Sequence, residues 1–274
     1  MKLMCRLLKI SRQAYYDWLK RPKSQRAIDT EILRDAIRAV YDEFKGRYGS
    51  PRIALELCNR GIFTSKNRVA RQMQQMGLIA LPWRRKYRLG RKPSAGQVVD
   101  NLVKRVFQAQ GKNKLWVGDI TYIPLQNGRF VYLATYLDVF SRKVVGWALQ
   151  SRMTQQLVID AFEQAIGRER PERGLIVHTD RGSQFTSQQY QATLVRHGAI
   201  ASMSRLGDPY DNAVMESFYK TLKTELLAGT KFINGHEANK AVFEYIELFY
   251  NVVRRHSSLG YKSPKDYELC HSVV

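Results

Sequence analysis

The nine residues Leu115, Trp116, Val117, Gly118, Asp119, Ile120, Thr121, Tyr122 and Ile123 form an apolar, β-branched and aromatic run with one carboxylate inside it. Such a run reads as a buried strand, and a buried strand needs a sheet around it. A carboxylate at that position is costly unless something neutralises it, and a metal ion does this well. Two other acids occupy comparable places. Asp180 ends the run Leu175 to Thr179, just ahead of the turn-like Arg181, Gly182 and Ser183, and Glu216 lies in the helical stretch from Asn212 to Phe218. Two strand-borne aspartates and a helix-borne glutamate can together hold a pair of divalent ions for phosphoryl chemistry.

The surrounding pattern predicts the rest of the sheet. Strands are expected over 115–123, 130–138 and 143–149, with turns at Gln126, Asn127, Gly128 and at Ser141, Arg142, an antiparallel meander. A helix over 155–167 follows, with Leu157, Val158, Ala161, Phe162 and Ile166 facing inward. Then come a strand over 175–179, a helix over 187–197, a short strand over 200–203 and two long helices over 211–227 and 235–253. The expected class is α/β with a mixed five-stranded sheet. Asp211 is expected to cap the helix of Glu216 and Asp138 the end of its strand. His178, near Asp180, is read as a core or supporting residue on the opposite strand face rather than a ligand.

Before residue 111 the chain reads as all helical. Ser11 suits an N-cap for Arg12 to Lys20, a second helix is expected over 30–44 with Ile32, Leu33, Ala36, Ile37, Val40 and Phe44 inward, and Pro51 suits the first turn of a helix over 51–59. Ser65 caps a helix over 66–76 that carries Arg68, Arg71, Gln72, Gln74 and Gln75. The last two helices, joined by a short turn, have helix-turn-helix form, and Arg, Asn and Gln are donors used against phosphates and base edges. A basic stretch with two prolines, including Arg84, Arg85, Lys86 and Arg88 beside Trp83 and Tyr87, marks a linker suited to tracking phosphates.

Charge supports a polyanionic partner. The net charge is +21, with 26 Lys and Arg against 8 Asp and Glu up to residue 112, and 19 against 16 after it. The excess therefore belongs to the helical part and linker. No apolar run approaches a membrane span, and the charged start from Met1 to Lys9 does not suit a signal peptide. Cys5, Cys58 and Cys270 are odd in number and far apart, which predicts neither disulfides nor zinc and fits a reduced, cytoplasmic protein.

Asp180 and Glu216 are separated by 35 intervening residues. With Trp116 to Ile123, Tyr136 to Arg142, His178 to Phe185, Asp211 to Phe218 and Arg255 to Pro264, the chain resembles the DDE transposases and retroviral integrases. More narrowly it is similar to the OrfB-type catalytic subunit of the bacterial insertion sequence three family. The resemblance implies an RNase H-like catalytic domain over 111–274, preceded by a helix-turn-helix region over 1–80 and a basic linker over 81–110. It also implies that Asp119, Asp180 and Glu216 bind two Mg²⁺ or Mn²⁺ ions and catalyse cleavage and strand transfer at the terminal inverted repeats of an element.

Glu216, Lys220 and Lys223 share a helix face by spacing, an arrangement that usually means a solvated salt-bridge face. The resemblance instead implies that both lysines hold terminal DNA, and Gln184 and Asn212 are read as hydrogen-bonding either DNA or site water. It further implies an oligomer on DNA and an upstream OrfA-type helix-turn-helix partner, so end recognition is expected to be incomplete in this chain alone. The alternatives are an RNase H-like nuclease that only hydrolyses and a DNA-binding regulator without catalysis.

Overall fold

The computed structural model describes residues 1–81, 99–103, 109–205, 212–227 and 230–271, and divides into two compact units, Met1–Leu81 and Pro82–Val274. The first is helical: α1 (Lys2–Leu7), α2 (Arg12–Lys20), α3 (Gln25–Glu43), α4 (Ser50–Asn59) and α5 (Lys66–Gln75). Serine N-caps start three of them, Ser11, Ser24 and Ser65 each accepting from a backbone N–H three residues on. Ser24 starts α3 five residues before the expected position. Ile37, Val40, Ile53, Leu57 and Val69 are fully buried where α3, α4 and α5 pack. Ile32, expected inward, is 60% exposed, because the stripe Leu33, Ile37, Val40 and Phe44 already occupies the core face and Ile32 falls beside it.

The second unit is built on five strands, β1 (Leu115–Pro124), β2 (Phe130–Asp138), β3 (Val144–Gln150), β4 (Ile176–Thr179) and β5 (Ile200–Met203), in the order β3-β2-β1-β4-β5. The meander is antiparallel, whereas β4 runs parallel to β1 and β5 parallel to β4. This is the mixed sheet of an RNase H-like fold, preceded in the chain by the helix-turn-helix region.

Alternation along β1 sends its side chains into two cores. Trp116 and Ile120 pack beneath α6 (Gln155–Glu169) and α7 (Gln188–Arg196), together with Tyr136, Phe162 and Tyr190. Leu115, Val117 and Ile123 pack on the other face against Met215, Phe218 and Leu222 of α8 (Ala213–Leu227) and Ala238 and Val242 of α9 (Gly235–Phe243). Gly146 lets α6 approach: a Cβ there would stand 2.3 Å from the carbonyl oxygen of Ala161.

The helix expected over 235–253 changes form partway. After α9 the chain continues as a π-helix, Glu244–Tyr250, whose wider turn puts Tyr245 and Tyr250, five residues apart, into the same core. A 3₁₀ turn at Ser257–Leu259 and α10 (Pro264–His271), neither expected, complete the unit. Asp138 closes the β2 end as expected, accepting from the backbone N–H groups of Ser141 and Asn113. Asp211 lies outside the described residues. No helix among those described is long and apolar enough to cross a membrane.

Candidate active site

Asp119 sits mid-strand on β1, partly buried rather than enclosed, on the strand face that looks toward α8. Its Oδ1 accepts from the Ile120 N–H at 2.7 Å. Gly118 beside it has no room for a side chain, since a Cβ would lie 2.6 Å from the Tyr136 ring. Parallel pairing of β1 with β4 runs from Leu115↔Ile176 to Val117↔His178. Two residues past that last pair come Asp119 on one strand and Asp180 just off the end of the other.

Asp180, also partly buried, folds back over its own turn, with Oδ1 accepting from the Gly182 N–H at 2.9 Å. Arg181 ties the same turn to the residue that follows β5, through Nε and the Ser204 carbonyl at 2.8 Å. His178 lies two residues before Asp180 and so shares its strand face, which corrects the expectation of an opposite face. Full burial between two hydroxyls, Ser202 at 2.9 Å and Ser204 at 3.2 Å, makes it a core residue.

Glu216 is in the first turns of α8, and two side chains on its own helical face hold that helix to β1. Asn212, four residues earlier, donates Nδ2 to the Gly118 carbonyl at 3.5 Å. Tyr219, three residues later, donates its hydroxyl to the Asp119 carbonyl at 2.5 Å and lies 2.8 Å from the Thr135 hydroxyl. Thr135 is the residue opposite Asp119 on β2. Glu216 is therefore bracketed by bonds to consecutive carbonyls of the strand that carries Asp119. Tyr219 has no counterpart among the residues singled out from sequence; the available signal was its position one turn after Glu216, with a hydroxyl in an otherwise apolar stripe.

The other candidate contacts vary in placement. Lys220 is exposed, and Lys223 stands 4.6 Å over the Tyr122 ring of β1. Asn212 is 8% exposed, and its Oδ1 has no hydrogen-bond partner among the described residues. Gln184 is partly buried and donates Nε2 to the Met153 carbonyl at 3.1 Å. Among the described residues no group of three His, Cys, Asp or Glu side chains is gathered tightly enough to hold a metal ion.

In the helical unit, Arg68 and Arg71 are exposed on α5 and, with Arg26, Ser65 and Asn67, line a cleft of about 490 Å³. Gln72 lines the same cleft but is held from within the unit. It is 7% exposed, and its Oε1 accepts from Arg34 Nε at 2.7 Å. Arg84, Arg85, Lys86 and Arg88 lie outside the described residues.

Comparison with known proteins agrees along the chain. Residues 109–209 and 197–264 match integrase core domain families, and residues 28–87 match an HTH-like domain. The transposase for insertion sequence element IS904 of Lactococcus lactis is 52% identical over 92% of this chain and 99% of its own length. Transposase InsF for insertion sequence IS3A of Escherichia coli is 40% identical over 97% of this chain and 93% of its own. The catalytic core of HTLV-2 integrase, solved in complex with magnesium, covers 59% of this chain and 99% of its own length at 22% identity and a TM-score of 0.44.

Proposed function

This chain belongs to the DDE transposases of the IS3 family, OrfB type, and on that premise we propose that Asp119, Asp180 and Glu216 are the carboxylates with which it cuts and rejoins DNA. As a member it is a DDE-type polynucleotidyl transferase. The observation that carries the residue assignment is the bracketing of Glu216, with Asn212 and Tyr219 bonded to the Gly118 and Asp119 carbonyls on either side of it.

By its chemistry the donor set suits a hard divalent cation, which would draw together carboxylates that are not gathered without it. It consists of three carboxylates and, one turn before Glu216, the buried Asn212 Oδ1, which has no hydrogen-bond partner among the described residues. Asp119, Asp180 and Glu216 would hold Mg²⁺ or Mn²⁺, two ions per site. When bound, such ions lower the pKa of an attacking water or 3′-hydroxyl and offset the charge on the leaving oxygen. Asp119 would contribute to both ions, and Asp180 and Glu216 to one each.

Both cleavage and joining are then in-line displacements at phosphorus in one place, and no serine, tyrosine or cysteine of the chain forms a covalent intermediate. Lys220 and Lys223 hold backbone phosphates of the terminal DNA, and Gln184 and Asn212 bond DNA or site water. Arg68 and Arg71, with Arg84, Arg85, Lys86 and Arg88 of the linker, hold the inverted repeat. Two ends and a target call for at least two copies of the chain on DNA, and an upstream OrfA-type helix-turn-helix partner completes end recognition. The setting is the bacterial cytoplasm.

The test is Asp119→Asn on the full chain with a pre-cut end bearing a 3′-hydroxyl. Joining and cleavage are expected to fall by about 10³-fold or more, since several kcal/mol of transition-state stabilisation are withdrawn, with end binding retained. Undiminished joining by the variant would overturn the assignment, and hydrolysis without joined product by the wild type would favour a nuclease.

A further inference from the structure

Tyr219 is 6% exposed and lies in the core that contains Met215, Phe218 and Leu222. A phenylalanine would supply the same apolar area there, and a hydroxyl taken out of water is a cost unless it is used. Here it is used toward the site. A phenol has one hydrogen, so with the Asp119 carbonyl receiving it at 2.5 Å, the Thr135 hydroxyl at 2.8 Å is the donor into Tyr219 Oη. The relay runs from a β2 side chain through an α8 side chain to the backbone of the residue bearing the first carboxylate. Glu216 lies three residues before Tyr219 on the same helix face.

We propose that Tyr219 is a positioning residue whose hydroxyl sets the placement of Glu216 relative to Asp119, and through it the affinity of the site for a divalent cation. This rests on the metal-dependent reading above. Ligands are held to a useful geometry by the groups bonded behind them, and loss of such a group weakens cation affinity by about 10–100-fold. Tyr219 acts on α8 as a whole, because its partners on β1 and β2 belong to the rigid centre of the sheet.

The experiment uses full-length wild type, Tyr219→Phe and Thr135→Val. The first readout is the rise in Tm as Ca²⁺ alone is titrated, which reports cation binding without turnover. The second is the Mg²⁺ concentration for half-maximal joining of a pre-cut end. Tyr219→Phe is expected to need about tenfold more cation in both, with joining restored to within about threefold of wild type at saturating Mg²⁺ and unchanged end binding. Thr135→Val is expected to shift both midpoints in the same direction by less. A Tyr219→Phe protein with wild-type midpoints overturns the proposal, whatever its Tm, because a purely structural hydroxyl lowers Tm without moving them. A wild type that neither responds to cation nor joins ends overturns the metal reading and this proposal with it.

Discussion

Arg254 holds Glu225 through two nitrogens, Nε at 2.8 Å from Oε2 and Nη2 at 2.8 Å from Oε1, with both side chains 7% exposed. Tyr245 of the π-helix donates its hydroxyl to the same Oε2 at 2.9 Å. Burial pushes the Tyr245 phenol far above its ordinary range, and the adjacent Glu225 charge adds to this, so it stays a donor. Glu225 lies on α8, and the pair therefore pins the far end of the helix that carries Glu216.

Removing one partner strands a buried charge, while removing both does not. Arg254→Met or Glu225→Leu alone is expected to cost about 3–5 kcal/mol of stability, and the double replacement much less. Urea unfolding of the three variants measures this. A double variant as unstable as the sum of the singles would show that the pair is not coupled.

Asp138 gives stability a pH dependence of its own. It is 1% exposed, and burial raises its carboxyl above the ordinary range even though the Ser141 and Asn113 N–H groups oppose the shift. The folded state thus holds this proton more tightly than the unfolded state. Its contribution is complete below the ordinary carboxylate value and is lost as pH rises through the folded one. Asp138→Asn removes that slope, so the stability difference should move in the variant's favour as pH rises above the ordinary carboxylate value of about 4. A constant difference across that rise would contradict the sign.

Lys220 and Lys223 are assigned to phosphates, and salt dependence tests this apart from catalysis. Each replaced by alanine should lower the slope of log affinity for end DNA against log salt by about 1. Tyr122→Leu withdraws the ring beneath Lys223 and should weaken binding in the same direction by less. A slope unchanged in both lysine variants would return them to a solvated face.

The sheet was legible in sequence because its strands are short apolar runs bounded by turns: β2 and β5 fall on their expected limits. The start of α3 was not, since Gln25 and Arg26 show no apolar period and only the Ser24 cap marks it. The π-helix was read as a plain α-helix because its apolar residues are dense enough to suit either period. Among the site residues, Asp119, Asp180 and Glu216 stood out as charges in apolar surroundings. Tyr219 did not, because its position one turn after Glu216 also suits one more core aromatic until Thr135 and Asp119, 84 and 100 residues away, are brought to its hydroxyl.

The same distinction separates the α5 residues that face outward from those that only look available. Arg34 binds the Oε1 atoms of both Gln72 and Gln75, at 2.7 and 2.6 Å, and so ties one side of α5 to α3. Asn67, Ala70, Arg71 and Gln74 are exposed and fall at helical spacing on one face, with Arg71 at its edge one turn before Gln75. Arg71→Ala and Asn67→Ala are expected to cost about 1–3 kcal/mol against a preferred end sequence, with the Tm of the unit little changed. Gln72→Ala should do the reverse, lowering Tm through the lost Arg34 bond while leaving base preference alone. Binding selection from a randomised end library, paired with a thermal melt, measures both. A Gln72→Ala protein of wild-type stability with altered base preference would put Gln72 in the DNA groove and displace this face from its role.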